Sequence, residues 1–388
     1  MAHALLSASG AHRWMACTPS ARLEEPFPES ASTYAEEGTL AHAMAETLCS
    51  YNARRIKKTE YTKRMKDYRE NPLCNKEMED YITDFAAYVW EQHNAAKVLA
   101  PDALLLLEER LDFSEYVPGG FGTGDVVIVS NGWLDVIDLK YGKGVPVSAQ
   151  ENEQLMLYAL GALWRYGLIY GIEWLRLTIY QPRLDNISRW EVPVKMLLDW
   201  AETLLKPKAA LAFDGAGNYA PGDHCRFCKA KAVCRARAEE NLKLAKYDFC
   251  PPNVLGEEEI ADVLKVAENL KNWAENVAAY ALEEAVKGRK WNGWKLVEGR
   301  SNREYGSPDR VAEVLTANDY NETEIYNKKL KGITEMEKLL GKKKFEEYLG
   351  AYIVKPAGKP ALVQLTDPRP ELSTAAAAAE DFKEFIEN

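Results

Sequence analysis

"GTGDVVIVSNGWLDVIDLKYGKG" occupies residues 122–144 and places two strand-like runs on either side of an Asn-Gly pair. Asn131-Gly132 between β-branched runs predicts a two-residue hairpin, its type I′ turn having positive φ at both central positions. Centred on that turn, Ser130 faces Trp133, Val127 faces Val136 and Asp125 faces Asp138. Directly opposed side chains lie with Cβ atoms about 4.5–5.5 Å apart, where like charges repel. Two carboxylates there need a reason. A divalent cation supplies one, because oxygen-rich sites suit Mg²⁺ or Mn²⁺, which orient water and phosphate oxygens. Lys140 lies two residues past Asp138, on the same face, where it can tune a nucleophile or stabilise developing charge. Asp135 has the opposite parity and points away. The competing reading is a pair of solvent-facing carboxylates on a half-exposed sheet, and a one-residue slip would undo the facing.

Outward from the hairpin, 103–113 reads as a strand. Residues 33–50 and 76–97 read as helices, with a charged, Tyr-rich segment between them. Residues 151–167 read as a strong helix, 172–183 as a strand and 193–212 as a helix. That order predicts a mixed α/β core. Past residue 220 the character changes. A Cys-rich knot (224–234) precedes a linker and a long helix over 257–288. A short hairpin near 291–305, further helices and a terminal alanine-rich helix complete the chain. The division expected is 1–250 for the α/β domain and 251–388 for a mainly helical region.

The 388 residues are 47% hydrophobic and 28% charged, which suits one large globular domain plus a smaller one. No apolar run approaches the ~20 residues of a membrane span. The first residues lack the basic and apolar pattern of a signal peptide, so a cytoplasmic protein without membrane partners is expected. The net charge of −10 argues against a protein that coats DNA but leaves local contacts open. Basic clusters stand at 53–69, 327–332 and 341–345; each also reads as a solvated helix face. Seven cysteines without an export signal argue against a disulfide framework and for metal or redox chemistry.

Several residues elsewhere carry chemistry. Gln154 and Tyr158 are four apart and share one helix face; a plain polar stripe would look the same. His42 lies on the first long helix with Glu46 one turn on, and a structural histidine is the alternative. Cys225-x2-Cys228-x5-Cys234, with Cys17 far upstream, has the thiolate set of an iron–sulfur or zinc site. His224 could replace Cys17 in a zinc version. Cys49, Cys74 and Cys250 read as ordinary cysteines.

Gly-x-x-Asp125 followed by Asp138-x-Lys140 resembles the signature of the PD-(D/E)XK nuclease superfamily, with Gly124 in the slot of the Pro. Gln154-x-x-x-Tyr158 is similar to a motif that RecB-type nucleases carry after the catalytic lysine. His42 resembles their N-terminal histidine. The cysteines resemble the arrangement of AddB-type helicase-nucleases and the CRISPR adaptation nucleases. All occur in the family order, over about residues 10–240. The whole chain also looks like a group of RecB-like proteins encoded in bacteriophages and prophages.

The resemblance implies a restriction-endonuclease-like α/β core and a DNA exonuclease of phage replication or recombination, acting in the host cytoplasm. It implies a cation held by His42, Asp125, Asp138 and the carbonyl of Leu139. Lys140 would then be catalytic, and Gln154 and Tyr158 would orient the strand. A [4Fe–4S] cluster would sit on Cys17, Cys225, Cys228 and Cys234, structural Zn²⁺ being the competitor. Implied partners are DNA ends, single- or double-stranded, and recombination or single-strand-binding proteins. Lys143 and the 53–69 cluster are candidate phosphate contacts. A structure-specific endonuclease and a non-catalytic DNA-binding or phage assembly protein remain the alternatives.

Overall fold

The computed structural model describes residues 4–28, 33–243, 256–295, 297, 308–317, 325–326 and 332–353. The expected boundary at 250, most of the 291–305 hairpin, the alanine-rich end, Cys250 and most of the 327–332 cluster lie outside them. The chain divides into two compact units, Met1–Val297 and Glu298–Asn388.

In the first unit, short helices α1 (Ala11–Ala16) and α2 (Ser20–Leu23) precede α3 (Thr33–Asn52), α4 (Lys58–Arg69) and α5 (Lys76–Leu99). The Tyr-rich segment thus holds a helix of its own. Asn75 caps α5, its side chain accepting from Met78 N at 2.9 Å. Five strands follow: β1 (Leu104–Asp112), β2 (Phe121–Ser130), β3 (Trp133–Leu139), β4 (Trp174–Gln181) and β5 (Asn186–Pro193). They form one mixed sheet in sequence order. Only β3 and β4 run parallel. That pair needs a long crossover, supplied by α6 (Glu153–Tyr170). Asn152 caps α6 and Gly171 ends it in the left-handed conformation. Helices α7 (Val194–Trp200), α8 (Lys206–Asp214), α9 (Arg235–Leu242) and α10 (Glu257–Val286) complete the unit. In the second unit, Pro308–Thr316, Ile333–Leu340 and Lys342–Leu349 are helical. No helix among the described residues is long and apolar enough to cross a membrane.

The sheet is covered on both faces. Val127, Val129, Val136 and Leu177 pack with Trp14 of α1, Leu155 of α6 and Leu197 of α7. Leu105, Val126, Ile128 and Ile137 pack with Met44 of α3, Met65 of α4 and Phe85 of α5. The alternation follows from the two-residue period of a strand. Each large apolar side chain buried this way contributes about 1.5–3 kcal/mol.

The hairpin register is the one expected, with Ser130↔Trp133 and Val127↔Val136. Two details differ. Positive φ occurs at Gly132 (80°) and not at Asn131, so the turn is not type I′. Tertiary contacts hold it instead: Gly132 N–H donates to Tyr170 O (3.0 Å), and Gly132 O accepts from Glu173 N (2.9 Å) and Trp174 N (3.0 Å). The ladder also ends at Val126↔Ile137, one step before the expected Asp125–Asp138 pair.

The reason lies in a double kink. Leu105 and Leu107 pack on the α3/α5 side, yet Leu111 belongs to the α6 side. On β2, Val126 faces α3/α5, yet a Cβ built on Gly122 points at Tyr158 of α6. Both strands therefore reverse their facing at one step. That step, Glu108 opposite Asp125, is missing from the β1–β2 ladder between Leu107↔Val126 and Glu109↔Gly124. Glu108 takes φ +48°, a conformation that ordinary side chains rarely adopt.

Candidate functional site

The kink aims two carboxylates at α3. His42 Nδ1 stands 3.1 Å from Asp125 Oδ1. The second oxygen of Asp125, Oδ2, accepts the backbone N–H of Leu139 at 2.7 Å. Glu108 joins them: one ligand atom each from His42, Glu108 and Asp125 all lie within 4.8 Å of one another. Glu46, Cys49 and Leu139 line the same small cavity.

Asp138 turns the other way, toward α6, and is almost fully buried. Its Oδ1 accepts from Gln154 Nε2 at 3.0 Å. Lys140 Nζ lies 2.9 Å from Oδ2 as an ion pair without hydrogen-bond alignment, since Oδ2 has no hydrogen-bond partner. Lys140 Nζ also donates to Gln154 Oε1 at 2.8 Å, and Gln154 Nε2 donates to the Tyr158 hydroxyl at 3.1 Å. One glutamine thus joins acid, base and phenol. The helical spacing of Gln154 and Tyr158 brings this about.

The crowding shows in the protonation of these groups. Burial alone would hold the His42 imidazole down, but its hydrogen bond to Asp125, with the charges of Asp125, Asp138 and Glu108, lifts it to about 9. Burial first, then the Asp125 charge, pushes Glu108 up to about 7. Burial also raises Asp138, against the pull of Lys140. The Tyr158 phenol is raised by burial and then by Asp138. A nest of acids held against their own repulsion suits a cation.

Of the residues expected here, His42, Asp125, Asp138, Leu139, Lys140, Gln154 and Tyr158 all meet at this end of the sheet. Asp125 and Asp138 do not share a face as expected, because the kink turns Asp125 toward α3. Glu108 was missed. Its one signal was a Glu-Glu pair ending the apolar run of "ALLLLEERLDF". Asp135 points away, as expected, and pairs with Arg176 at 3.1 Å. The 53–69 cluster is partly spent on ion pairs, Arg64 with Glu60 (2.6 Å) and Arg69 with Glu79 (2.6 Å). Lys143 is exposed.

The second candidate centre joins the two ends of the first 240 residues. Cys17, Cys225, Cys228 and Cys234 line one cavity with Arg13 and His224, and none is in a disulfide. Gly222 N–H donates to Cys225 Sγ at 3.4 Å, and His224 Nε2 is buried without a partner. Burial raises the Cys17 thiol, with Cys225 and Cys234 close enough to add to it. Burial, then Glu24, pushes the Cys228 thiol up to about 12. A polar clamp closes the segment: Arg13 Nε donates to Glu24 Oε2 (2.9 Å) and Lys229 N–H to Glu24 Oε1 (2.6 Å).

The profile of the family described as "Protein of unknown function (DUF2800)" matches residues 3–370. The chain belongs to this family. The match takes in both the carboxylate site and the cysteine centre. A solved chain titled "Crystal structure of SSO0001" aligns at 13% identity over 58% of this chain and 96% of that one, with a TM-score of 0.22. A score so low carries no argument about the fold.

Proposed function

We propose that this protein is a divalent-cation-dependent DNA exonuclease on a PD-(D/E)XK-type core. The observation that carries the reading is the continuous set Lys140–Gln154–Asp138 beside His42–Asp125–Glu108. A mixed imidazole and carboxylate set fits Mg²⁺ or Mn²⁺. When bound, such an ion supplies Lewis-acid polarisation of the phosphoryl group and a lowered pKa for water.

The chain's own groups do the rest. Lys140, hydrogen-bonded to Gln154 and paired with Asp138, keeps an N–H to place against charge that develops on a phosphate oxygen. The Tyr158 hydroxyl accepts from Gln154 and keeps its own proton to donate. Gln154 sets the distance between Lys140 and Asp138. Lys143 and the lysines of α4 offer phosphate contacts, which makes binding salt-sensitive.

The four cysteines fit a [4Fe–4S] cluster, with structural zinc as the competing occupant. The backbone N–H aimed at Cys225 Sγ is the kind of outer contact that tunes a thiolate ligand. Iron, acid-labile sulfide and zinc measured per chain after anaerobic purification separate the two.

The test of the activity uses end-labelled linear DNA, single- and double-stranded, with Mn²⁺ beside closed circles. Shortening from the ends, intact circles and an inactive Asp125→Asn variant are expected. Cut circles would replace exonuclease by endonuclease. If parent and variant bind DNA equally and neither cuts, the protein is a binding or assembly protein instead.

A further inference from the structure

The reversal that aims Glu108 and Asp125 at α3 also turns the arm formed by the end of β1 and the start of β2. Past it, Leu111 and Gly122 face α6. The two-residue period of a strand then puts Glu108, Arg110 and Asp112 of β1 on one face with Asp125, Thr123 and Phe121 of β2. We propose that this face is the track for an unpaired strand of the DNA to be cut, with Arg110 and Phe121 stacking one unstacked base. This rests on the nuclease reading above and names the form of substrate that its site takes.

Three observations support it. First, the face runs on from the candidate site. Arg110 and Thr123 are partners across the strands and lie about 6.6 Å beyond Glu108 and Asp125, and Phe121 lies about 13 Å beyond Asp125. A strand with one phosphate at Asp125 therefore lays its next nucleotides over these side chains. Second, the face is open. Arg110, Asp112 and Thr123 are exposed and Phe121 is half-buried, whereas Leu105, Val126 and Ile128 of the same strands are packed under α3 and α5. Third, Phe121 is not spent on packing. It belongs to neither hydrophobic core, and the Arg110 guanidinium lies over its ring at 4.0 Å from the centroid.

The arm is a firm base for such a contact. Phe113 and Val117 are buried at its tip, where Phe113 N–H donates to Gly120 O (3.2 Å) and Val117 N–H to Phe113 O (3.1 Å). Asp112, the acid on this face, accepts the N–H of Ser114 at 2.9 Å. A guanidinium lying on a ring offers its other flat side to a third planar group, and every base has such a face. A base inside a duplex keeps its faces on its neighbours and cannot enter. The phosphate beside an unstacked base meets the charge of Arg110. The track therefore selects single strands and frayed ends over closed duplex.

Binding of the full-length protein to labelled oligo(dT) and to a blunt duplex of the same length, read by fluorescence anisotropy in EDTA, tests this apart from cutting. Phe121→Ala and Arg110→Ala should each weaken oligo(dT) binding by roughly tenfold or more, whereas duplex binding should stay within about threefold. Arg110→Ala should also lower the salt slope by about one, and Phe121→Ala should leave it unchanged. Phe121→Leu stands in if the alanine variant does not fold. Oligonucleotides lacking one base at successive positions complete the test: removal at one position should weaken binding to the parent and not to the Phe121 variant. No such position, unchanged oligo(dT) binding in the Phe121 and Arg110 variants, or equal losses on single strand and duplex overturn the assignment. A parent that binds neither DNA overturns the nuclease reading and this assignment together. A parent that binds oligo(dT) with these differences but cuts no DNA with Mn²⁺ overturns the nuclease reading and leaves the track standing.

Discussion

The carboxylate site and the cysteine centre are organised in opposite ways. The first is held by the protein alone: strands fix Asp125 and Asp138, α3 brings His42, and Gln154 of α6 ties Lys140 to Asp138. The second draws on loops and helix ends about 200 residues apart, closed by the Arg13–Glu24–Lys229 clamp and by bonds of Arg13 to Phe227 O and Thr18 to Ala216 O. Burial raises two of its thiols, Cys17 and Cys228, so a metal bound there would have to displace their protons. On the proposed reading, the contrast separates what an occupant of each centre would do. Loss of a cation from the carboxylate site should stop function and leave the fold. Loss of the group on the cysteines should loosen the fold itself.

The sharpest break of that contrast is Cys228→Ser. It should lower unfolding free energy by on the order of 3 kcal/mol or more, while Asp125→Asn, which gives up the His42 pair but also the repulsion with Glu108, should change it by about 1 kcal/mol or less; urea denaturation of both reads the difference. Equal stability of the two variants would mean that the cysteines do not staple the unit.

A buried carboxylate outside both centres serves as a control. Asp135 lies three residues before Asp138 on the opposite face, and burial, against the pull of Arg176, raises it to about 6 from its ordinary 3.8. The folded state therefore holds that proton more tightly than the unfolded chain. The stability it contributes is full below pH 3.8 and is lost as pH rises through about 6. The loss amounts to about 3 kcal/mol at most. Asp135→Asn should flatten that part of the stability profile between pH 4 and 7, with Arg176 still bound to Glu191 at 2.7 Å. An unchanged slope would place the titration elsewhere.

Gly122 sharpens the comparison at the carboxylate site. A Cβ there would lie 2.8 Å from Tyr158 Cε1, so the ring must move. Gly122→Ala should cost about 1–3 kcal/mol in a thermal melt and slow cutting by shifting the phenol from Gln154. The smallest effect expected is that of Gln154→Ala. It should reduce the cutting rate roughly tenfold, about 1.4 kcal/mol, with the melting temperature kept. A fall in melting temperature with unchanged rate would make Gln154 structural.

Much of this site was legible before folding, and the physics says why. The Asn-Gly turn pins the register, so Val127 and Val136 had to meet. Helical spacing placed Gln154 beneath Tyr158, and the thiolate spacing brought the four cysteines to one cavity. Glu108 was not legible, because its role comes from a reversal shared by two strands, which no local pattern encodes. The same reversal broke the expected facing of Asp125 and Asp138. The turn type failed for a related reason: Tyr170, Glu173 and Trp174 hold Gly132 from outside the hairpin. Strand β5, in "NISRWEVP", carries little signal in the sequence, because it is an edge strand paired with β4 and its mixed faces give a weak alternation.

The groups gathered around Asp138 and Asp125 are proposed to cut phosphodiester bonds. The most direct measurement compares parent and Lys140→Ala on labelled DNA at saturating Mn²⁺, with DNA binding measured in parallel. The variant should cut more slowly by roughly a hundred- to a thousandfold, at near-equal binding. Equal rates in the two proteins, or no cutting by either, would contradict that proposal.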